Sequence, residues 1–102
     1  MKVLVVSESF IIRDSLSNFF HEEFNVDDIK SISNLDYLCK EDFLDCDFLF
    51  IDVNTSRINI VEKLRLIKNK SKNIKIMILD NKKDIELFLK TLNYGVDGYI
   101  LN

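Results

Sequence analysis

The chain has no proline, two glycines, two cysteines and one histidine in 102 residues. Without proline there is little to punctuate the chain, so element boundaries must be taken from changes in hydrophobic period. Cys39 and Cys46 are too few and too isolated for a disulfide framework, and with the lone His21 they do not make a zinc set, so both read as structural cysteines. No stretch approaches the roughly 18 consecutive apolar residues of a membrane helix. The N-terminus runs straight into an apolar segment too short for a signal-peptide core and without a small-residue cleavage pattern, which gives the reading of a cytoplasmic protein with no membrane contact. An excess of positive charge is missing too: the net charge is −3, which removes the global electrostatic case for nucleic-acid binding. Lys68, Lys70, Lys72 and Lys75 form a local basic run, read as a solvated helix end.

What remains is an ordinary globular composition, 47% hydrophobic and 30% charged, of a length that suits one domain spanning residues 1–102. Val3 to Val6, Phe48 to Ile51 and Ile74 to Leu79 are short continuous apolar runs, the pattern of strands buried on both faces of a parallel sheet. Between them the period is helical. Ile12, Leu16, Phe19 and Phe20 share one face of a first helix capped by Ser9, and Asn34 to about Glu41 reads as a short second helix with Leu35, Leu38 and Cys39 inward. Val61, Leu64 and Ile67 mark a third helix. Ile85, Phe88, Leu89 and Leu92 mark the inner stripe of a fourth, ended by Gly95. Asp28 to Ile32 reads as an edge strand and Gly98 to Leu101 as the last one. Strand and helix therefore alternate, which calls for right-handed crossovers and a parallel sheet covered on both sides. No internal repeat, linker or low-complexity segment interrupts the pattern.

In such a sheet the polar residues just past the carboxyl ends of neighbouring strands converge on one crevice. Glu8 and Asp52 are expected to meet there, with Ser7 and Ser9 alongside. Neither G-x-G-x-x-G nor G-x-x-x-x-G-K-[ST] occurs, so a nucleotide cradle has no motif to rest on.

The segments MKVLVVSES, DFLFIDVN, KIMILD and GVDGYILN together resemble the receiver domain of two-component response regulators over nearly the whole chain. The resemblance implies a flavodoxin-like three-layer α/β fold, with a five-stranded parallel sheet in the order 2-1-3-4-5. It implies a non-enzymatic signalling module in phosphorelay signal transduction, with a histidine kinase as partner and Asp52 as the phosphoacceptor position. Magnesium would be held by Glu8, Asp52 and the backbone carbonyl of Asn54, oxygen ligands of the kind this ion prefers. Tyr99 falls at the aromatic switch position.

The departures from the family pattern matter as much. Ser7 and Glu8 stand where the family has an acidic aspartate pair, Asp80 where it has a Thr or Ser that binds the phosphoryl oxygen, and Asn102 where it has a lysine. Metal binding is therefore expected to be weak. Glu8, Asp52 and Asp80 are expected to form a three-carboxylate cluster, in which one like-charge contact at about 5 Å costs on the order of 3 kcal/mol at an effective dielectric near 20. A phosphoryl group adding about −1.5 to −2 charge would be disfavoured there. Lys82, Lys83 and Arg57 are candidate substitute cations, and the Tyr99 hydroxyl is a candidate donor to Asp80.

The leading expectation is an atypical receiver acting through protein contacts. A conventional magnesium-dependent phosphoacceptor is the alternative, followed by a flavodoxin-like protein binding a small ligand. The chain stops before the family's fifth helix, which predicts an uncovered apolar sheet face and a homodimer through the fourth helix, Tyr99 and that face. The alternative is that the helix, and a DNA-binding effector domain, lie beyond the segment.

Overall fold

The computed structural model describes residues 1–38, 44–54, 59–82 and 84–101. Five parallel strands, β1 (Lys2–Val6), β2 (Asp28–Ile32), β3 (Phe48–Asp52), β4 (Lys75–Asp80) and β5 (Gly98–Leu101), form one sheet in the order β2-β1-β3-β4-β5. This is the flavodoxin-like order expected from the sequence. Among the described residues the α-helices are α1 (Phe10–Phe24), α2 (Ile60–Lys70) and α3 (Ile85–Asn93). The expected second helix is a single 3₁₀ turn, Leu35–Tyr37, as far as the chain is described there; Cys39 lies outside the described residues.

The strands are buried because β1, β3 and β4 have neighbours on both edges and apolar side chains on both faces. On one face Leu4, Val6, Leu49, Ile51, Ile76 and Ile78 pack under α2, through Ile60, Leu64 and Ile67. On the other, Val3, Val5 and Phe50 pack against Phe20 of α1 and Val26. Local signals place the helices. Ser9 accepts a hydrogen bond from the Ile12 N–H at the start of α1, and Asp84 does the same for Leu87 at the start of α3. Past α3, Gly95 takes a positive φ of 83° and returns its N–H to the Leu92 carbonyl, the left-handed step that ends a helix most cheaply at glycine.

Two expectations about inward faces are corrected. The inner side of α3 is carried by Leu87 and by Thr91, whose hydroxyl donates to the Phe88 carbonyl, whereas Ile85 is 58% and Leu89 57% exposed and Phe88 and Leu92 also face outward. On α1, Phe20 is buried but Phe19 is exposed, resting edge-on against Phe20 and Phe24. The sheet face under α1 is covered unevenly. Phe48, Met77 and Leu79 are partly buried, and Ile100, paired with Leu79 in the β4–β5 register, is exposed.

Candidate functional site

The carboxyl ends of β1, β3 and β4 bring three polar side chains out of the core: Ser7, Asp52 and Asp80, each almost wholly buried. Asp52, at 2% exposure, is held by three donors. The Ser7 hydroxyl donates to Oδ2 at 2.7 Å, and Oδ1 accepts from the Asn54 backbone N–H at 3.1 Å and from Asn54 Nδ2 at 2.6 Å. Ser7 Oγ in turn accepts from the Ser9 N–H at 3.0 Å, so one hydroxyl joins the loop entering α1 to the end of β3. Asn54 extends the network, its Oδ1 accepting from the Asn81 N–H at 2.8 Å. The result is a carboxylate whose two oxygens are both directed at protein donors, which is how a buried charge is made tolerable.

Asp80 has described partners of its own. Its Oδ1 accepts from the Lys82 N–H at 3.0 Å, and its Oδ2 accepts the hydroxyl of Tyr99. The Tyr99 ring meets Phe88 of α3 edge to face, with centroids 5.3 Å apart.

Among the described residues Glu8, Asp52 and Asp80 are not gathered into a group placed to hold a metal ion, and the pleat bears on this. Side chains alternate along a strand, so Asp52 continues the row Phe48, Phe50 on the α1 face, whereas Asp80 continues the row Ile76, Ile78 on the α2 face. Glu8 is exposed, and it is Ser7 rather than Glu8 that reaches Asp52. Among the described residues no group of three or more His, Cys, Asp or Glu side chains is placed to hold a metal ion. Magnesium, which takes converging oxygen ligands with open lone pairs, would meet a carboxylate of which three of about four lone-pair directions are taken by Ser7 and Asn54, with Glu8 exposed. Asn102, Arg57 and Lys83 lie outside the described residues, and Lys82 meets Asp80 through its backbone.

Sequence reasoning overlooked Arg13. Its guanidinium donates to the Ser7 carbonyl at 2.6 Å and lies 5.9 Å from the Phe10 ring centroid. Four residues past a cap at Ser9, it stands one turn above the strand end, a position that helical spacing from the cap would have given. It supplies a cation to the rim of the crevice on the side of Ser7.

Comparison with known proteins adds the family. The response regulator receiver domain family matches residues 3–101. Among solved structures, the isolated receiver domain of RcsB from Salmonella enterica serovar Typhimurium, studied with the phosphomimetic BeF3−, superposes with a TM-score of 0.82 at 15% identity, covering 100% of this chain and 77% of that one. The chemotaxis response regulator CheY4 of Vibrio cholerae gives 0.79 at 20% identity, with 99% and 85% covered. A CheY-like receiver domain protein from Methanospirillum hungatei gives 0.82 at 17% identity, with 99% and 80% covered. Identities this low speak for the fold alone. Among curated proteins none matches the chain in sequence.

Proposed function

The chain belongs to the response regulator receiver domain family, and from that premise we propose that it is an atypical receiver, signalling through protein contacts with weak or absent phosphorylation at Asp52. Receiver domains are generally non-catalytic modules that work with histidine kinases and effector domains in phosphorelays. The observation that carries the atypical reading is the engagement of Asp52. For a carboxylate to attack a phosphodonor, one oxygen must be free to approach phosphorus while a cation neutralises the incoming charge. Here Oδ1 accepts twice from Asn54 and Oδ2 once from the Ser7 hydroxyl, which leaves about one lone-pair direction, on Oδ2, for an incoming phosphorus or cation. Ser7 brings no charge where the family has an aspartate, and Glu8 points to solvent, so magnesium has one carboxylate fewer to attract it and binds weakly. At the end of β4, a phosphoryl group would find the acceptor-only carboxylate of Asp80 in place of a hydroxyl donor.

On this reading Asp52, Ser7 and Asn54 form a structural tie between the β1, β3 and β4 loops, while Asp80 and Asn102 stand at switch positions altered from the family pattern and Tyr99 at the aromatic switch position itself. A second copy of the chain, a histidine kinase and an effector domain are the partners this reading admits, all through protein contacts and none through nucleic acid.

The deciding experiment is incubation with magnesium and acetyl phosphate, followed by intact mass measurement of wild type and Asp52→Asn. Little or no phosphoryl adduct on either is expected. Conversion of most of the wild type, and none of Asp52→Asn, would establish the conventional magnesium-dependent phosphoacceptor instead.

A further inference from the structure

The end of the sheet opposite the Asp52 crevice carries charge of both signs, sorted by position. In a parallel sheet every strand begins at that end and every crossover helix finishes there. On the β2 side, Glu22 and Glu23 in the last turn of α1, Asp27 in the turn that follows and Asp28 at the start of β2 are all exposed. Asp27 has His21 beside it at 3.3 Å, whereas Glu22, Glu23 and Asp28 form no ion pair among the described residues. On the β4 side, Lys68 and Lys70 close α2 and Lys72 and Lys75 lead into β4. Lys68 is used internally, its Nζ donating to the Ile74 carbonyl at 2.7 Å and lying 3.7 Å from Asp97, and Lys75 reaches the same carboxylate at 4.0 Å. Arg65, Lys70 and Lys72 form no ion pair among the described residues. The order β2-β1-β3-β4 puts three strand spacings, roughly 14 Å, between the two patches. That exceeds the Debye length of about 8 Å at physiological ionic strength, so the patches act as separate fields instead of cancelling. Shape follows the same division. Phe24, the last residue of α1, is 60% exposed among the carboxylates. On the other side lies a hollow of about 340 Å³ whose walls include Arg65, Lys68, Asn69, Lys72 and Tyr94.

We propose that this end is self-complementary and that two copies of the chain pair through it about a two-fold axis, the Phe24 ring of each seated in the cationic hollow of the other. A half-turn about an axis lying in that end, perpendicular to the line joining the patches, sets the carboxylates of one copy on the cations of the other, and symmetry forms the same contact a second time. An end of one sign would repel its own copy. An acidic and a basic patch side by side are satisfied by a second copy without any further component, and a ring placed over cations adds to the attraction. The pair leaves the Asp52 crevice open, because that crevice is at the other end of the strands.

Sedimentation equilibrium of the intact chain tests this at about 50 mM and about 500 mM salt, between which the Debye length shrinks roughly threefold. Pairing through charge is expected to weaken roughly tenfold or more over that range, whereas association through the apolar side chains of α3 and β5 holds or strengthens in salt. Glu22→Lys/Glu23→Lys and Lys70→Glu/Lys72→Glu reverse exposed charges without entering the core. Each alone should lose the pairing at low salt, because like charges then face each other. Mixed in equal amounts the two variants are complementary again, and a heterodimer within about threefold of the wild-type affinity is expected. Phe24→Ser should weaken the wild-type pairing roughly fivefold at low salt; no change there overturns the seating of the ring. Wild type that stays monomeric at low salt, association unchanged in either reversed variant, or no recovery on mixing overturns the proposal. Loss in Lys70→Glu/Lys72→Glu alone, together with saturable binding of inorganic phosphate to wild type, overturns it in favour of a small anion as the occupant of the hollow.

Discussion

At the scale of single residues, Ser7 decides what Asp52 can do. Its hydroxyl both donates to Asp52 and accepts from Ser9, so Ser7→Ala removes two hydrogen bonds in a buried place and is expected to cost about 1–3 kcal/mol in urea unfolding. Ser7→Asp asks a sharper question. Two carboxylates would then face each other in the core, and stability in chelator should fall by a similar amount, on the order of 2 kcal/mol. Magnesium should restore it, since the variant regains the missing charged ligand. A magnesium-dependent rise in Tm for Ser7→Asp, with little for wild type, is the expected pattern. Cys46 offers a titration. Burial pushes its thiol above the ordinary value. The folded state thus favours the neutral form: the thiol's contribution is whole below the unfolded pKa and is lost as pH rises through the folded one. Between about pH 8 and 10 wild type should lose more stability than Cys46→Ala, measured as the change in urea midpoint across that range.

At the scale of elements, α3 separates what a sequence can and cannot say. Its period was legible, as was its end at Gly95, but its phase was not. Ile85, Leu87, Phe88, Leu89 and Leu92 spread apolar character around most of the helix, and a threonine at the inner position disguised the face that packs. Thr91 is tolerated inside because its hydroxyl is satisfied by the helix's own Phe88 carbonyl. Leu87→Ala is therefore expected to cost about 2–4 kcal/mol, and Leu89→Gln less than about 0.5 kcal/mol, in chemical denaturation. A reversal of that order would restore the face read from the sequence. The strands fared better because a run buried on both faces has no phase to mistake. Their ends did not: the count of residues along β3 and β4 places Asp52 and Asp80 on opposite faces, but only once the register Asp52 to Leu79 is known. The pairing of Tyr99 with Asp80 was legible, since it needs only two adjacent strand ends. The capture of Asp52 by Ser7 and Asn54 was not, because short polar side chains carry no periodic signal.

At the scale of the whole molecule, apolar surface is distributed unevenly. No helix among the described residues is long and apolar enough to cross a membrane, yet Ile85, Leu89 and Leu92 on α3 and Ile100 and Leu101 on β5 are all exposed. Met77 adds to the β5 side: its sulfur lies where a side chain at Gly98 would be, 2.3 Å from the position of a Cβ, so that glycine is kept by close approach. Exposed apolar side chains gathered near one edge of a domain mark a candidate contact surface. Self-association is expected, with sedimentation velocity showing a weight-average mass that rises over the micromolar range and falls back in Leu89→Gln/Ile100→Gln.

The order of the sheet has its own consequence for how the chain first becomes folded. β1 pairs on one edge with β2 and on the other with β3, and at the latter edge Lys2 and Asp47 bond reciprocally, the Asp47 N–H to the Lys2 carbonyl at 2.9 Å and the Lys2 N–H to the Asp47 carboxylate at 2.8 Å. Those partners are 45 residues apart, and no hairpin shortens the search. Closing so long a loop must precede most of the reward, so this small domain belongs among slow folders for its size. During synthesis β1 therefore waits for its second neighbour until some 45 further residues have been made.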